Sequence, residues 1–133
     1  MPIYDFLLDN PYESTRDVVE TLRFILKLPR PYVLQPFSLV LFPGTVLYDR
    51  AKEDGLLADE RSDVYRKQFH IRASSYLNLM FLLLNHGFPR ALMRVLLSPP
   101  LLWAFNRSVF NPLYAAVLGA YRGLKGILTG RGK

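Results

Sequence analysis

The chain twice runs from an apolar stretch into a tight turn and straight on into a helix start. The first instance is Tyr4-Asp5-Phe6-Leu7-Leu8-Asp9-Asn10-Pro11-Tyr12-Glu13-Ser14. The second is Val33 to Phe42, broken by Pro43-Gly44-Thr45. Parallel strands can be joined only through a crossover, usually a helix, so two strand–turn–helix units in succession predict parallel α/β structure. Ile3 to Leu8 is almost continuously apolar, the pattern of a strand covered on both faces.

The helix signals are local. Ser14-Thr15-Arg16-Asp17 fits a capping box, with Ser14 as N-cap and the Asp17 carboxylate three residues on. Val18, Leu22, Ile25 and Leu26 form one helical stripe, and Pro29 and Pro31 forbid continuation. Pro36 lacks an N–H, so the second strand is expected to pair fully only after it. Thr45 then caps a short helix through Asp54, with Gly55 suited to the position just past its end.

Charge divides the chain. All eleven acidic residues lie between Asp5 and Asp63, against seven Lys or Arg, a balance of −4. From Val64 to Lys133 there are ten Lys or Arg and no acid. This predicts α/β units over residues 1–60 and a basic, apolar helical region over 61–133. Cysteine is absent, which removes disulfides, thiolate catalysis and cysteine-ligated metal. No signal peptide is visible, and the expected location is cytoplasmic.

In the second half, Leu56 to Asp63 reads as a charged connector. Helices are expected over 64–85, 89–97, 101–107 and 112–128, with proline at most joints and a loose basic tail from Thr129. Residues 73–89 carry no charge but fall short of the ~20 residues that span a bilayer, and Asn78, Asn85 and His86 interrupt them. Two readings of these helices stand side by side. Apolar helices with only basic charges suit a peripheral site on an anionic membrane surface, with Trp103, Tyr114 and Tyr121 at headgroup level. Equally, they suit a helical cap that buries its leucines against the rest of the protein. Nucleic acid is the weakest reading, because the charges are scattered among leucines. His70 and His86 lie sixteen residues apart without metal-ligand spacing and read as surface or capping histidines.

Ligands of parallel α/β folds sit at the carboxyl ends of the strands. Those ends are Asp9-Asn10-Pro11 and Phe42-Pro43-Gly44. Asp9 and Asn10 have the chemistry to meet ligand hydroxyls or an amine, but read first as turn formers bonding their own backbone. Glu13 is expected to favour the positive helix N-terminus rather than to act in catalysis.

Residues 3–57 resemble the late-barrel segment of radical S-adenosylmethionine enzymes. Tyr4 to Ser14 is similar to the family's strand ending in Gly-Leu-Pro-Gly-Glu-Thr. Phe37-Ser38-Leu39 with Phe42-Pro43-Gly44-Thr45, Leu47-Tyr48 and Ala51 is similar to its next strand and Pro-Gly-Thr turn. The Asp-Asn-Pro form, with Leu-Pro-Arg-Pro before the second strand, looks most like the branch carrying an N-terminal cobalamin-binding domain. The departures are Asp9 where many members have glycine, Ser14 where many have threonine, and no CxxxCxxC loop for the 4Fe-4S cluster. The resemblance therefore implies a C-terminal piece holding the last strand–helix units of a partial (β/α) barrel. Its partners would be the missing part of the barrel and a cobalamin domain. Asp9, Asn10, Phe42 and Pro43 would help wall the pocket for S-adenosylmethionine and substrate. Cluster, S-adenosylmethionine and cobalamin would belong to the intact enzyme, none being bound by this chain alone, and the isolated chain is expected to be inactive. The alternative is a small basic helical module that docks on membranes or on a partner protein.

Overall fold

In the computed structural model, which describes residues 1–57 and 71–130, the fold is mixed α/β and mostly helical. Its elements are β1 (Ile3–Leu8), α1 (Thr15–Ile25), β2 (Val33–Ser38), α2 (Val46–Glu53), α3 (Tyr76–Asn85), α4 (Arg90–Leu96), α5 (Pro99–Phe105) and α6 (Asn111–Leu128), with a 3₁₀ turn at Ser108–Phe110. The two strands pair in parallel, with Ile3 opposite Val33 and Leu8 opposite Ser38.

Local signals account for the first half. Ser14 and Asp17 form the expected capping box, and the hydrogen bonds from Ser14 hold the Asp17 carboxyl below its usual range. Thr45 caps α2 through the Tyr48 N–H, and Gly55 takes φ 70° immediately after the cap residue Asp54. β2 departs from expectation twice. Pairing starts before Pro36, since the Val33 N–H donates to Pro2 O. Val33 and Leu39 both donate toward β1, so by the period of two the ring nitrogen of Pro36 faces the opposite edge, where no donor is needed. The strand also stops at Ser38 rather than Phe42. Leu39 N–H to Leu8 O is the last rung, because β1 itself ends where Asp9 turns to φ 61°.

The sheet is covered on one face only, not two. Tyr4, Phe6 and Leu8 pack inward, while Ile3 and Leu7 remain 59% and 63% exposed. The inner face meets α3, which lies under β2, α1, α4 and α6. Every residue from Tyr76 to Leu84 is buried. One core thus contains Leu8, Leu22, Ile25 and Leu34 from the first half and Met80, Phe81, Met93 and Leu118 from the second. Two arginines tie the halves reciprocally. Arg23 of α1 donates to Leu97 O (3.2 Å), and Arg90 of α4 donates to Leu28 O (2.7 Å) with its guanidinium over the Tyr32 ring.

The helix expected over 64–85 begins at Tyr76, because Ser75 is extended and its hydroxyl accepts the Asn78 N–H. The part over 64–70, with His70 and most of the connector, lies outside the described residues, as does the tail over 131–133. α5 starts two residues early, since proline is tolerated in a first turn. Among the described residues no helix is long and apolar enough to cross a membrane. His86 is the C-cap of α3. Its Nε2 accepts from Arg122 Nε (2.9 Å) and its carbonyl accepts from Lys125 Nζ.

Two predictions follow from this packing. Phe81→Ala should cost about 3–5 kcal/mol in chemical unfolding, against under about 0.5 kcal/mol for exposed Val117→Ala. Burial, Arg122 and Lys125 lower the pKa of His86 below its ordinary 6.5. An unfolded chain then binds a proton at His86 that the folded chain resists. Stability should be full above pH 6.5 and fall as pH drops from there toward the depressed folded value. Thermal melts across that window should show the decline, and His86→Gln should flatten it.

Candidate functional site

The carboxyl ends of β1 and β2 meet the N-terminal turn of α3 around one carboxylate. Asp9 accepts from Ser38 Oγ at 2.5 Å on one oxygen and from Asn78 Nδ2 at 2.7 Å on the other. Ser38 and Asn78 are 6% and 5% exposed, and Asn78 Nδ2 also reaches Ser74 Oγ at 3.3 Å. Asp9 sits in the left-handed region, which the short polar side chains Asp and Asn tolerate better than most. Its negative charge beside the first turn of α3 also meets the positive end of that helix dipole.

Asn10 closes the adjoining turn. Its Oδ1 accepts the Tyr12 N–H (3.1 Å), and its carbonyl accepts the Glu13 N–H (3.2 Å). The Tyr12 hydroxyl then donates to Asp54 Oδ2 (2.6 Å), and the Arg50 guanidinium lies 4.5 Å from the Tyr12 ring centre. The bond to Asp54 is the main reason the Tyr12 phenol titrates above its ordinary value. The turn after β1 is thereby bound to the end of α2.

A cleft of about 240 Å³ opens over this junction, lined by Asp9, Asn10, Glu13, Ser75, Asn78 and Asn106 among others. That volume is below the ~300–1,000 Å³ of a site that engulfs a drug-sized molecule, so these walls accommodate part of a ligand. Carboxylates, amides and the hydroxyls of Thr15 and Ser75 line it, a set suited to hydroxyl groups or an ammonium. Glu13, half-buried, lines the cleft from the position just before the α1 N-cap Ser14, and the carboxylate of the capping box is that of Asp17, as expected.

Asp9 and Asn10 are therefore together at the cleft. Phe42 and Pro43 are not among its walls. They form the turn before α2, where Phe42 O accepts from both the hydroxyl and the N–H of Thr45, and the Phe42 side chain is half exposed. Sequence reasoning missed Ser38, Ser75, Asn78 and Asn106. A Ser-Ser pair three residues ahead of an asparagine inside an apolar run was a usable capping signal for Ser75 and Asn78. Ser38 and Asn106 carry no comparable local mark.

No family model, no curated protein and no solved structure matches this chain.

Removing Asp9 should leave the buried Asn78 amide without its closest acceptor, and removing Asn78 takes from the exposed Asp9 carboxylate one of its two donors. Asn78→Ala and Asp9→Ala should each lower stability by about 1–3 kcal/mol, and the double variant by clearly less than their sum. Strict additivity in a double-mutant cycle would show that the bond does not couple the strand end to α3.

Proposed function

We propose that this chain is the C-terminal portion of a radical S-adenosylmethionine enzyme of the cobalamin-binding branch, where it completes the barrel and walls part of the pocket for S-adenosylmethionine and substrate. The observation that carries the reading is the state of the sheet. It is a parallel pair whose outward face leaves Ile3 and Leu7 uncovered, beside the paired polar residues Asp5 and Gln35. Parallel strands are characteristically covered on both faces, and a two-stranded sheet is marginal by itself. Further strands and helices of a barrel are what such a surface lacks. The location of the cleft, at the carboxyl ends of the strands, is where barrel enzymes bind.

The chain's own residues do not fit an iron–sulfur cluster. It has no cysteine, and among the described residues no group of three His, Asp or Glu could hold a metal. No chemical step is assigned to these residues. Their part is to bind and orient. Asn10 and Glu13 would meet the ribose hydroxyls or the amine of S-adenosylmethionine, and Asp9 would fix the strand ends that present them. Phe42 and Pro43, on the turn after β2, would wall the ligand from the neighbouring unit.

Two measurements test the reading. The reading frame upstream should encode a CxxxCxxC segment; its absence over a few hundred residues would overturn the proposal. In the enzyme containing this chain, Glu13→Gln should weaken S-adenosylmethionine binding roughly tenfold or more without lowering the melting temperature, since a hydrogen bond to a charged group is lost. Asn10→Ala should weaken binding too, and should also lower stability by roughly 0.5–1.5 kcal/mol through the lost turn. Unchanged affinity in both variants would reduce the cleft to a structural junction.

A further inference from the structure

α6 is apolar on both sides. Tyr114 and Leu118 are buried against the core. On the helical wheel, at about 100° per residue, Leu113, Val117, Ala120, Leu124, Ile127 and Leu128 fall on an outward arc about 100° wide. All six are exposed, with Leu124, Ile127 and Leu128 at 62%, 76% and 85%. The cations of α6 lie elsewhere, Arg122 and Lys125 reaching back to His86. The arc runs ~23 Å along an 18-residue helix and holds no charged group. On α5, Trp103 is 74% exposed, with the Arg107 guanidinium 4.6 Å from its ring centre.

From this surface we infer that α6 lies flat on anionic lipid bilayers, its outward arc in the acyl boundary. Charge complementarity selects lipid over a second copy of the chain. Residues 64–133 carry ten cations and no acid, so a bilayer bearing anionic headgroups attracts this half and repels the acidic first sixty residues. The uncharged arc also offers a protein partner no polar group to set its register, which a fluid acyl boundary does not require. Backbone chemistry agrees. Helix N–H and C=O groups are bonded within the helix, so lipid can cover α6 without leaving polar groups unpaired. An arginine stacked on an exposed tryptophan has the amphipathic character of the headgroup zone. The arc leads and the charges assist. Arg122 stands across the helix from the arc and Lys125 beside its edge, both within about one Debye length (~8 Å) at physiological salt.

The test uses the 133-residue chain with vesicles of phosphatidylcholine alone and of phosphatidylcholine mixed with phosphatidylglycerol, across a salt series. Trp103 is the only tryptophan, so its emission reports on this region directly. Co-sedimentation should be stronger on the mixed vesicles and fall with salt without vanishing, accompanied by a blue shift of the Trp103 emission. The combined Leu113→Ser, Leu124→Ser, Ile127→Ser variant should bind roughly tenfold or more weakly, with an unchanged circular dichroism spectrum, because it alters only exposed side chains. Absence of binding to either vesicle would overturn the inference. So would equal binding by parent and variant. A parent chain that dimerises in size-exclusion chromatography, ignores vesicles and becomes monomeric in the variant would assign the arc to a second copy instead.

Discussion

Everything described here rests on the burial of α3 from all sides. Nine successive residues, Tyr76 to Leu84, are shielded at once by β2, α1, α4 and α6. A helix that is apolar around almost its whole circumference has no face to offer water, so it is stable only with neighbours on every side. The sheet's inner residues, the stripe of α1 and the inward side of α6 are those neighbours. The polar ends of the arrangement are bonded rather than solvated. Tyr76 gives its hydroxyl to Leu96 O, and burial pushes its phenol up to about 12. The Arg122 and Lys125 contacts to His86 close the other end.

That constraint also places the cleft. Asn78 is the one amide in the buried run of α3, and a buried amide must find partners. It finds Asp9 and Ser74, and through Asp9 it reaches Ser38. The same bonds that make Asn78 tolerable in the core hold the ends of both strands against the start of α3. The acidic first half and the basic second half thus share a polar junction as well as an apolar core. The cleft takes walls from each, Asn10 and Glu13 from one and Ser75 and Asn106 from the other.

What the sequence made legible was local. The Ser14–Asp17 box, the Thr45 cap and the glycine after α2 each depend on residues within one turn, and each appears where expected. The strand pair followed from two repeats of one pattern. What stayed hidden depended on distant groups. The end of β2 was set by where β1 stops, and the placement of Pro36 by which edge carries the partner. The apolar run over 73–89 left membrane and core readings open, because periodicity cannot say what surrounds a helix. The structure encloses its centre, Met80 to Leu84, in protein, and the outward apolar surface turns out to belong to α6. The partnering of Asp9 with Asn78, 69 residues away, had no local mark.

Two apolar surfaces remain uncovered, and their backbone chemistry separates them. The open sheet face carries Ile3 and Leu7 beside strand edges whose outward N–H and C=O groups have no ladder partner in this two-stranded pair. Lipid cannot satisfy such groups, and each one left unpaired in hydrocarbon costs several kcal/mol. Water or protein must meet them, and water would leave Ile3 and Leu7 of that mixed face exposed. The outer arc of α6 has no such demand, since its N–H and C=O groups are bonded along the helix. The sheet therefore calls for further strands of protein, whereas α6 can be covered by a medium that offers no hydrogen bonds at all. Charge sorts them the same way, with the acidic half holding the sheet and the basic half holding α6.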